Sequence, residues 1–382
     1  EPKGNAPKLI TPNHRPFLTL NRLRYMFEPH LLRTMSKKFY LLITCWLACF
    51  SALTAETPTT PLPQTPPPLS TVDAELEKAQ KDFDEAKKMF NPWYAGPIIT
   101  GGAHNVPPRH FNIQPYLFVT NTYGTFDRNR KSRSIPDILT VNPVFVYQMG
   151  WLSWLDFTAV ISALYNSQSG MDNFDIGDTE FSWGIPLLEE TPYKPAVRFV
   201  VSLLIPTGKY NRLDPDKNGI DATGSGAYST RLSLNMSKIF WWISTHPFRT
   251  RLSLNYTIPM TTHVKNFNAY GGGFGTSGKV RPGNLIEIDG SIEWSFTQKW
   301  VLTLDLVYTY QNHATFSGNR GISPDGTTAA VGAPSSERFS AAPAIQYNPS
   351  QHLGILIGAW VALTGRNAGQ FVSGIATVTY YW

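Results

Sequence analysis

The chain has 382 residues, 42% hydrophobic and 13% aromatic but only 16% charged, with two cysteines and a formal net charge of +6. This excludes a disordered or collagen-like chain, and an aromatic excess beside a deficit of charge is unusual for a soluble enzyme. Residues 1–55 hold eight Lys or Arg and two acids, which is the whole net charge, so the neutral remainder offers no basic footprint for nucleic acid.

Met35 opens a stretch with two lysines, an apolar run from Phe39 to Leu53 and small residues ending at Ala55. This is the layout of a secretory signal peptide over 35–55, too short at roughly 15 apolar residues for a membrane-spanning helix. Residues 1–34 then read as a non-native upstream segment. Cys45 and Cys49 both fall in the leader, so the mature chain is expected to lack thiols, disulfides and cysteine metal sites. Leu47-Ala48-Cys49 also resembles the end of a lipoprotein signal, with Cys49 lipidated. Residues 56–69 contain six prolines and read as an extended linker. An amphipathic helix is expected over 70–92, capped by Ser70 or Thr71, with Val72, Leu76, Ala79, Phe83, Ala86 and Phe90 along one seam. The seam suits either packing against the rest of the protein or self-association into a homo-oligomer.

From Phe111 onward apolar and polar residues alternate with period two. Between Phe248 and Ile258, for example, Leu252, Leu254 and Tyr256 share one face while Arg249, Arg251, Ser253 and Asn255 share the other. Twelve strands are expected, near 111–122, 138–149, 153–165, 176–187, 195–206, 226–238, 247–259, 284–296, 299–311, 336–347, 351–363 and 370–382. Short turns alternate with longer polar connections, the first of these at 123–137, and both ends of the run fall on the short-turn side. That is the layout of a transmembrane antiparallel β-barrel, occupying 96–382, with a short N-terminal periplasmic helix before it. A soluble β-sandwich would also alternate, but it has no need of aromatics at strand ends such as Trp151, Trp154, Trp294, Trp300 and Tyr310. Trp382 shares a face with Tyr380 and Val378. This pattern is similar to the signal by which the barrel-assembly machinery takes up its clients.

If the apolar face meets lipid, the opposite face lines the lumen. It carries Asp178 and Glu180, then Arg198, Arg231, Arg249 and Arg251, then Glu287, Asp289, Glu293 and Asp305, and finally Arg338. These charges either set a transverse field across a water-filled pore or pair with one another and fill a narrow lumen.

GDTEFSWGIPLL from Gly177 and VSLLIPTGKYN from Val201 resemble the Gly-Asp and Pro-Thr-Gly motifs of the transporter family named for the meta-pathway of phenol degradation. The strand pair from Leu285 to Tyr310 is similar to that family's later hairpin. The resemblance implies an outer-membrane channel or uptake protein for small aromatic or hydrophobic compounds. Taken by itself, Pro206-Thr207-Gly208 closes a strand and starts a loop, a role that needs no ligand.

Asp214-Pro-Asp216-Lys-Asn218-Gly219 resembles the opening of a calcium loop, but its twelfth position is Ser225 and a solvated turn is expected. The basic run from Arg128 to Arg133 suits either lipopolysaccharide phosphates or simple solvation. A lipase-type enzyme would need Ser and His at matching heights on adjacent strands, which the register does not provide. The expectation is therefore a non-enzymatic channel of the Gram-negative outer membrane. It would have no cofactor and no metal, with lipid, lipopolysaccharide, the assembly machinery and a small solute as partners. A non-conducting structural or adhesive barrel is the alternative.

Overall fold

The computed structural model describes residues 74–78, 81, 92–241 and 246–382. The leader, the proline linker and most of the 70–92 segment lie outside the described residues, and 74–78 are helical. The strands are β1 (Phe111–Phe126), β2 (Ser132–Leu152), β3 (Leu155–Gln168), β4 (Met171–Ile176), β5 (Thr179–Leu188), β6 (Ala196–Ile205), β7 (Ser229–Phe240) and β8 (Phe248–Pro259). They continue as β9 (Thr262–Lys265), β10 (Ser277–Arg281), β11 (Leu285–Ser295), β12 (Trp300–Gln311), β13 (Thr315–Asn319), β14 (Ser336–Ser350), β15 (Leu353–Arg366) and β16 (Ala368–Tyr381).

One antiparallel sheet runs from β1 through β2, β3, β5, β6, β7, β8, β11, β12, β14, β15 and β16 and returns to β1. β3 pairs with β5 along its first part (Asp156↔Gly184) and with β4 beyond it (Ala163↔Ile176), so β4 and β5 are two parts of one stave broken at Gly177-Asp178. The result is the expected closed barrel of twelve staves. Its seam joins first strand to last, with Phe118 opposite Ile375, and ends in paired bonds between Phe111 and Trp382 of 2.8 and 3.0 Å.

The two faces invert the ordinary order of burial. Asp305 and Glu293 are 0% exposed and Asp289 2%, whereas Leu304 on the same strand as Asp305 is 42% exposed and Ile292 53%. Only a hydrocarbon solvent around the barrel makes this favourable, because closure pairs every strand's backbone and leaves apolar side chains to face lipid. Rings gather at the short-turn end, where Trp300 packs on Tyr347 at 4.6 Å and Phe111 on Trp382 at 5.5 Å, while Trp151 and Trp154 project outward. Their amphipathic rings suit the headgroup layer.

Two features differ from the sequence expectation. The first long connection shrinks to 127–131, because β1 and β2 run on past the membrane as a twisted ribbon with a bulge at Thr122/Gly124. Polar residues on both faces of that extension had the look of a loop. The second feature is a small sheet ordered β13-β10-β9 within the connections after β8 and β12. That order copies β12-β11-β8 in the wall, so three staves resume above the membrane after short breaks. Val264 and Val280, each 0% exposed, form its own small core.

Leu304 lies near mid-stave on the lipid face. Leu304→Arg is expected to lower stability by about 2–4 kcal/mol, read by urea titration of the protein folded in lipid vesicles. An unchanged midpoint would place that face away from hydrocarbon.

Candidate permeation path

Residues 92–108 rise into the lumen from the short-turn end and descend again before β1 begins. Backbone inside a barrel has no ladder partner, so the wall must satisfy it with side chains. On the rising limb Asn348 donates to the Trp93 carbonyl at 2.8 Å, and Gln346 accepts from the Ala95 N–H at 3.1 Å while donating to Gly96 O at 2.8 Å. Asp305 holds the top: it accepts from Ile98 N at 3.2 Å, Thr100 N at 3.0 Å and Thr100 Oγ1 at 2.6 Å. On the way down Gly102 O accepts from Arg198 and Asn235, and Asp156 accepts from Val106 N at 3.1 Å. Gly101 permits the closest approach, since a Cβ there would lie 3.0 Å from Asn235 Nδ2 and 3.1 Å from Ser253 Oγ. In the periplasmic turn, burial raises the Glu190 carboxyl, but hydrogen bonds from His104 and the Ile239 N–H outweigh it and hold the group below its usual range.

The lumen charges fall into paired and unpaired sets. Arg198 meets Asp156 at 2.5 Å, Arg231 meets Glu180 at 3.0 Å and Arg251 meets Glu293 at 2.6 Å. Asp289 accepts from Asn255 at 3.1 Å, and Glu287 faces inward on the same strand. Arg249 instead lies over the Tyr94 ring at 4.4 Å, and Arg338 lies over Phe371 at 5.0 Å and Trp360 at 5.7 Å. Asp178 takes no lumen cation; it accepts from Gly208 N at 3.1 Å and from Ser225 N and Oγ at 2.8 and 2.7 Å.

Sequence reasoning missed Asp156, the partner of Arg198, although its parity with Thr158 and Ser162 in β3 puts it on the inward face. It also missed that part of the inner wall is apolar. Tyr116 and Phe118 stack at 5.6 Å, Trp360 meets Phe371 edge-on at 5.1 Å, and Ile98 of the loop packs on Ala342, Ala344, Leu356 and Ile375. The available signal was β15, LGILIGAWVALTGR, which is apolar in both parities. A strand reading as a continuous apolar run is covered on both faces. Here lipid covers one face and the inserted loop the other.

At the outer end the two sequence motifs meet. Thr207 Oγ1 donates to Gly177 O at 2.6 Å, and the Asp178 bonds above clamp both ends of the loop between β6 and β7. That loop reaches inward, its Ile220 carbonyl accepting from Asn166 at 2.8 Å, and Lys209 pairs with Asp221 at 2.7 Å. Burial, reinforced by Asp178 and Tyr210, pushes the Tyr270 hydroxyl up to about 12, so it stays a donor to Ser225 O at 2.7 Å. Asp214 caps its own turn by accepting from Asp216 N at 3.0 Å, and among the described residues no cluster of three His, Cys, Asp or Glu could hold a metal. In the basic run Arg130 pairs with Glu337 and Arg133 with Asp127 at 3.0 Å. The Lys131 N–H, with that of Asn129 and the Arg133 side chain, holds the Asp127 carboxyl below its usual range.

Below the loop, a cavity of about 390 Å³ opens at the short-turn end, lined among others by Tyr94, His104, Arg249, Arg251 and His352. The lumen thus has a cavity at the short-turn end and a crossing at the loop and Asp305, with Arg338 on the wall outward of that crossing.

No family model matches the sequence, and no curated protein does. Among solved structures, an outer-membrane channel from Pseudomonas putida F1 superposes with a TM-score of 0.60 at 13% identity, covering 75% of this chain and 100% of that one. At lower scores follow the toluene transporter TodX of Pseudomonas putida (TM-score 0.35, 11% identity, 71% of this chain and 88% of that one) and the translocator domain of the autotransporter NalP from Neisseria meningitidis (0.39, 10%, 81% and 97%). The first likeness, with the lipid-facing exterior, makes this fold a bacterial outer-membrane β-barrel.

Asp305→Ala removes the acceptor for three loop donors. Each bond to a carboxylate contributes about 1.5–3 kcal/mol, so the loop should loosen, raising single-channel conductance and exposing 92–108 to added protease. Wild-type conductance and protection would show that the path is limited elsewhere.

Proposed function

We infer that this protein is an outer-membrane channel for the uptake of small solutes, gated by residues 92–108. The observation that carries this reading is how the loop is held. Side-chain hydrogen bonds from Asp305, Gln346 and Asn348 hold it, where a strand ladder would build it into the wall permanently. Bonds of this kind can exchange for water one at a time, which suits a segment that leaves and returns.

Small aromatic or hydrophobic compounds are the solutes this reading favours. Tyr116, Phe118 and Trp360 line one side of the lumen with rings that pack against the Ile98 cluster of the loop and would be bared when the loop leaves. The meeting of Gly177-Asp178 with Pro206-Thr207-Gly208 supports kinship with the phenol meta-pathway transporters, since motifs far apart in sequence serve one clamp. His104, His110 and His352 bond to Glu190, Pro108 O and Tyr381 O, which fits a non-catalytic barrel. Within the same reading, a leader at 35–55 directs export, the 56–69 linker and 70–92 helix stand in the periplasm, and the Trp382 face is presented to the assembly machinery. A non-conducting barrel is the second reading, favoured by the three ion pairs that already consume lumen charge.

Planar-bilayer recording of residues 56–382 under a salt gradient separates the two. Steady, salt-dependent steps are expected; silence from folded protein supports the second reading. Arg249 and Arg251 line the short-turn cavity, and neutralising Arg251 also leaves its Glu293 partner uncompensated. Replacing both by Gln should therefore shift the reversal potential toward cation selectivity, and an unmoved potential would remove them from the ion path.

A further inference from the structure

Three lumen arginines, Arg198, Arg231 and Arg251, are spent on carboxylates within 3.0 Å. Arg249 and Arg338 are not. Neither makes an ion pair or hydrogen bond with any described residue, and the Nε of each is buried without a partner. Arg249 stands opposite Glu293 in register, yet Glu293 bonds to Arg251 and Gln346. Arg338 is separated by Thr309 from Glu287, which makes no ion pair with it. What holds both guanidiniums is aromatic: Tyr94 under Arg249, and Phe371 and Trp360 beside Arg338, with Trp360 itself fixed by its Nε1–H to Ser340 at 2.9 Å.

An arginine seated on ring faces keeps its planar fork of N–H donors pre-aligned. A buried donor left over in such a setting is completed by a ligand more readily than by water, and the fork matches a carboxylate through two parallel bonds. The two arginines also lie on either side of the crossing. Arg338 is four residues outward of Ala342, which faces Asp305, whereas Arg249 lines the short-turn cavity. Each station sets one cationic fork beside an aromatic side chain that is only partly buried, Tyr94 at Arg249 and Trp360 at Arg338.

We propose that the transported solute is a small aromatic carboxylate, bound first at Arg338 with its ring against Trp360, and received at Arg249 and Tyr94 beyond the loop. This rests on the channel reading for the word transported, but the binding site stands apart from it. Carboxylate and ring are both needed: the first occupies the fork, the second the ring faces.

The test is calorimetric titration of the folded protein in detergent with sodium benzoate, benzyl alcohol and sodium cyclohexanecarboxylate, alongside bilayer recording of the same samples. Benzoate should bind at least about tenfold more tightly than either analogue, a difference near 1.4 kcal/mol. Arg338→Gln should weaken benzoate by about tenfold or more, and Arg338→Lys, which keeps the charge without the planar fork, should fall between. Equal binding of benzoate and benzyl alcohol, or no binding to a barrel that conducts chloride, overturns the inference and leaves the channel standing. Equal binding of benzoate and cyclohexanecarboxylate overturns the aromatic part. Benzoate binding to a barrel that never conducts supports the site and sinks the channel reading instead.

Discussion

The constraint beneath the whole structure is that backbone N–H and C=O groups find no partners in hydrocarbon. It forces the sheet to close, and closure comes through β1 and β16, whose ladder ends with Phe111 and Trp382 bonded to each other. A closed wall with lipid outside has only one place for its charged side chains. Asp156, Arg198, Arg251, Asp289, Glu293 and Asp305 all turn inward, and at this diameter they lie close enough to meet. The same constraint reaches the inserted loop. Its peptide groups are inside the membrane's thickness without strand neighbours, and wall residues from β3, β7, β12 and β14 supply what a ladder would have supplied.

Sequence alone located all twelve staves, ten of them to within four residues at each end and the second and fourth with starts five or six residues late, because a half-lipid, half-water strand must alternate and the alternation is visible one strand at a time. What it could not locate depended on relations between strands. The stave broken at Gly177-Asp178 reads as a strand that starts at 176, with the residues of β4 in the connection before it, until β3 is seen to pair with β4 and β5 in turn. The outer ends of β1 and β2 lose the alternation, since above the membrane neither face meets lipid, and polar residues broken only by Tyr123, Phe126 and Ile135 read as loop. The inward residues were legible by parity, but their partners were not: that Arg198 meets Asp156 while Arg338 meets rings follows from which staves adjoin.

The two motifs behind the family resemblance acquire a physical role in this setting. Asp178 interrupts a stave, at the cost of ladder bonds, and uses its freed carboxylate on three donors of the loop that Thr207 and Gly208 begin. Gly208 and Gly224 lie too close for side chains, a Cβ on Gly224 falling 2.4 Å from Asp178 Oδ1, so the clamp needs glycine at both flanks. The loop so pinned sends Ile220 toward the lumen instead of outward into solvent. Residues that resemble a family motif therefore shape the outer mouth of the barrel.

That wall is asymmetric in a way that matters for what can pass. Three ion pairs, one of them completed by Asp156, take up five of the eleven inward charged residues predicted from the sequence, so the transverse field is weaker than eleven free charges would set. The residual field comes from the charges outside those pairs, the carboxylates of Glu287, Asp289 and Asp305 against the guanidiniums of Arg249 and Arg338, and Arg338 stands beside rings on the β15 and β16 side. In a narrow lumen of low dielectric, a charge outside an ion pair contributes more to that field than a charge inside one. A barrel that had to stay shut could have paired Arg338 with Glu287 across one strand. Leaving that pair unmade keeps a cation on the wall outward of a loop held by hydrogen bonds and by the packing of Ile98.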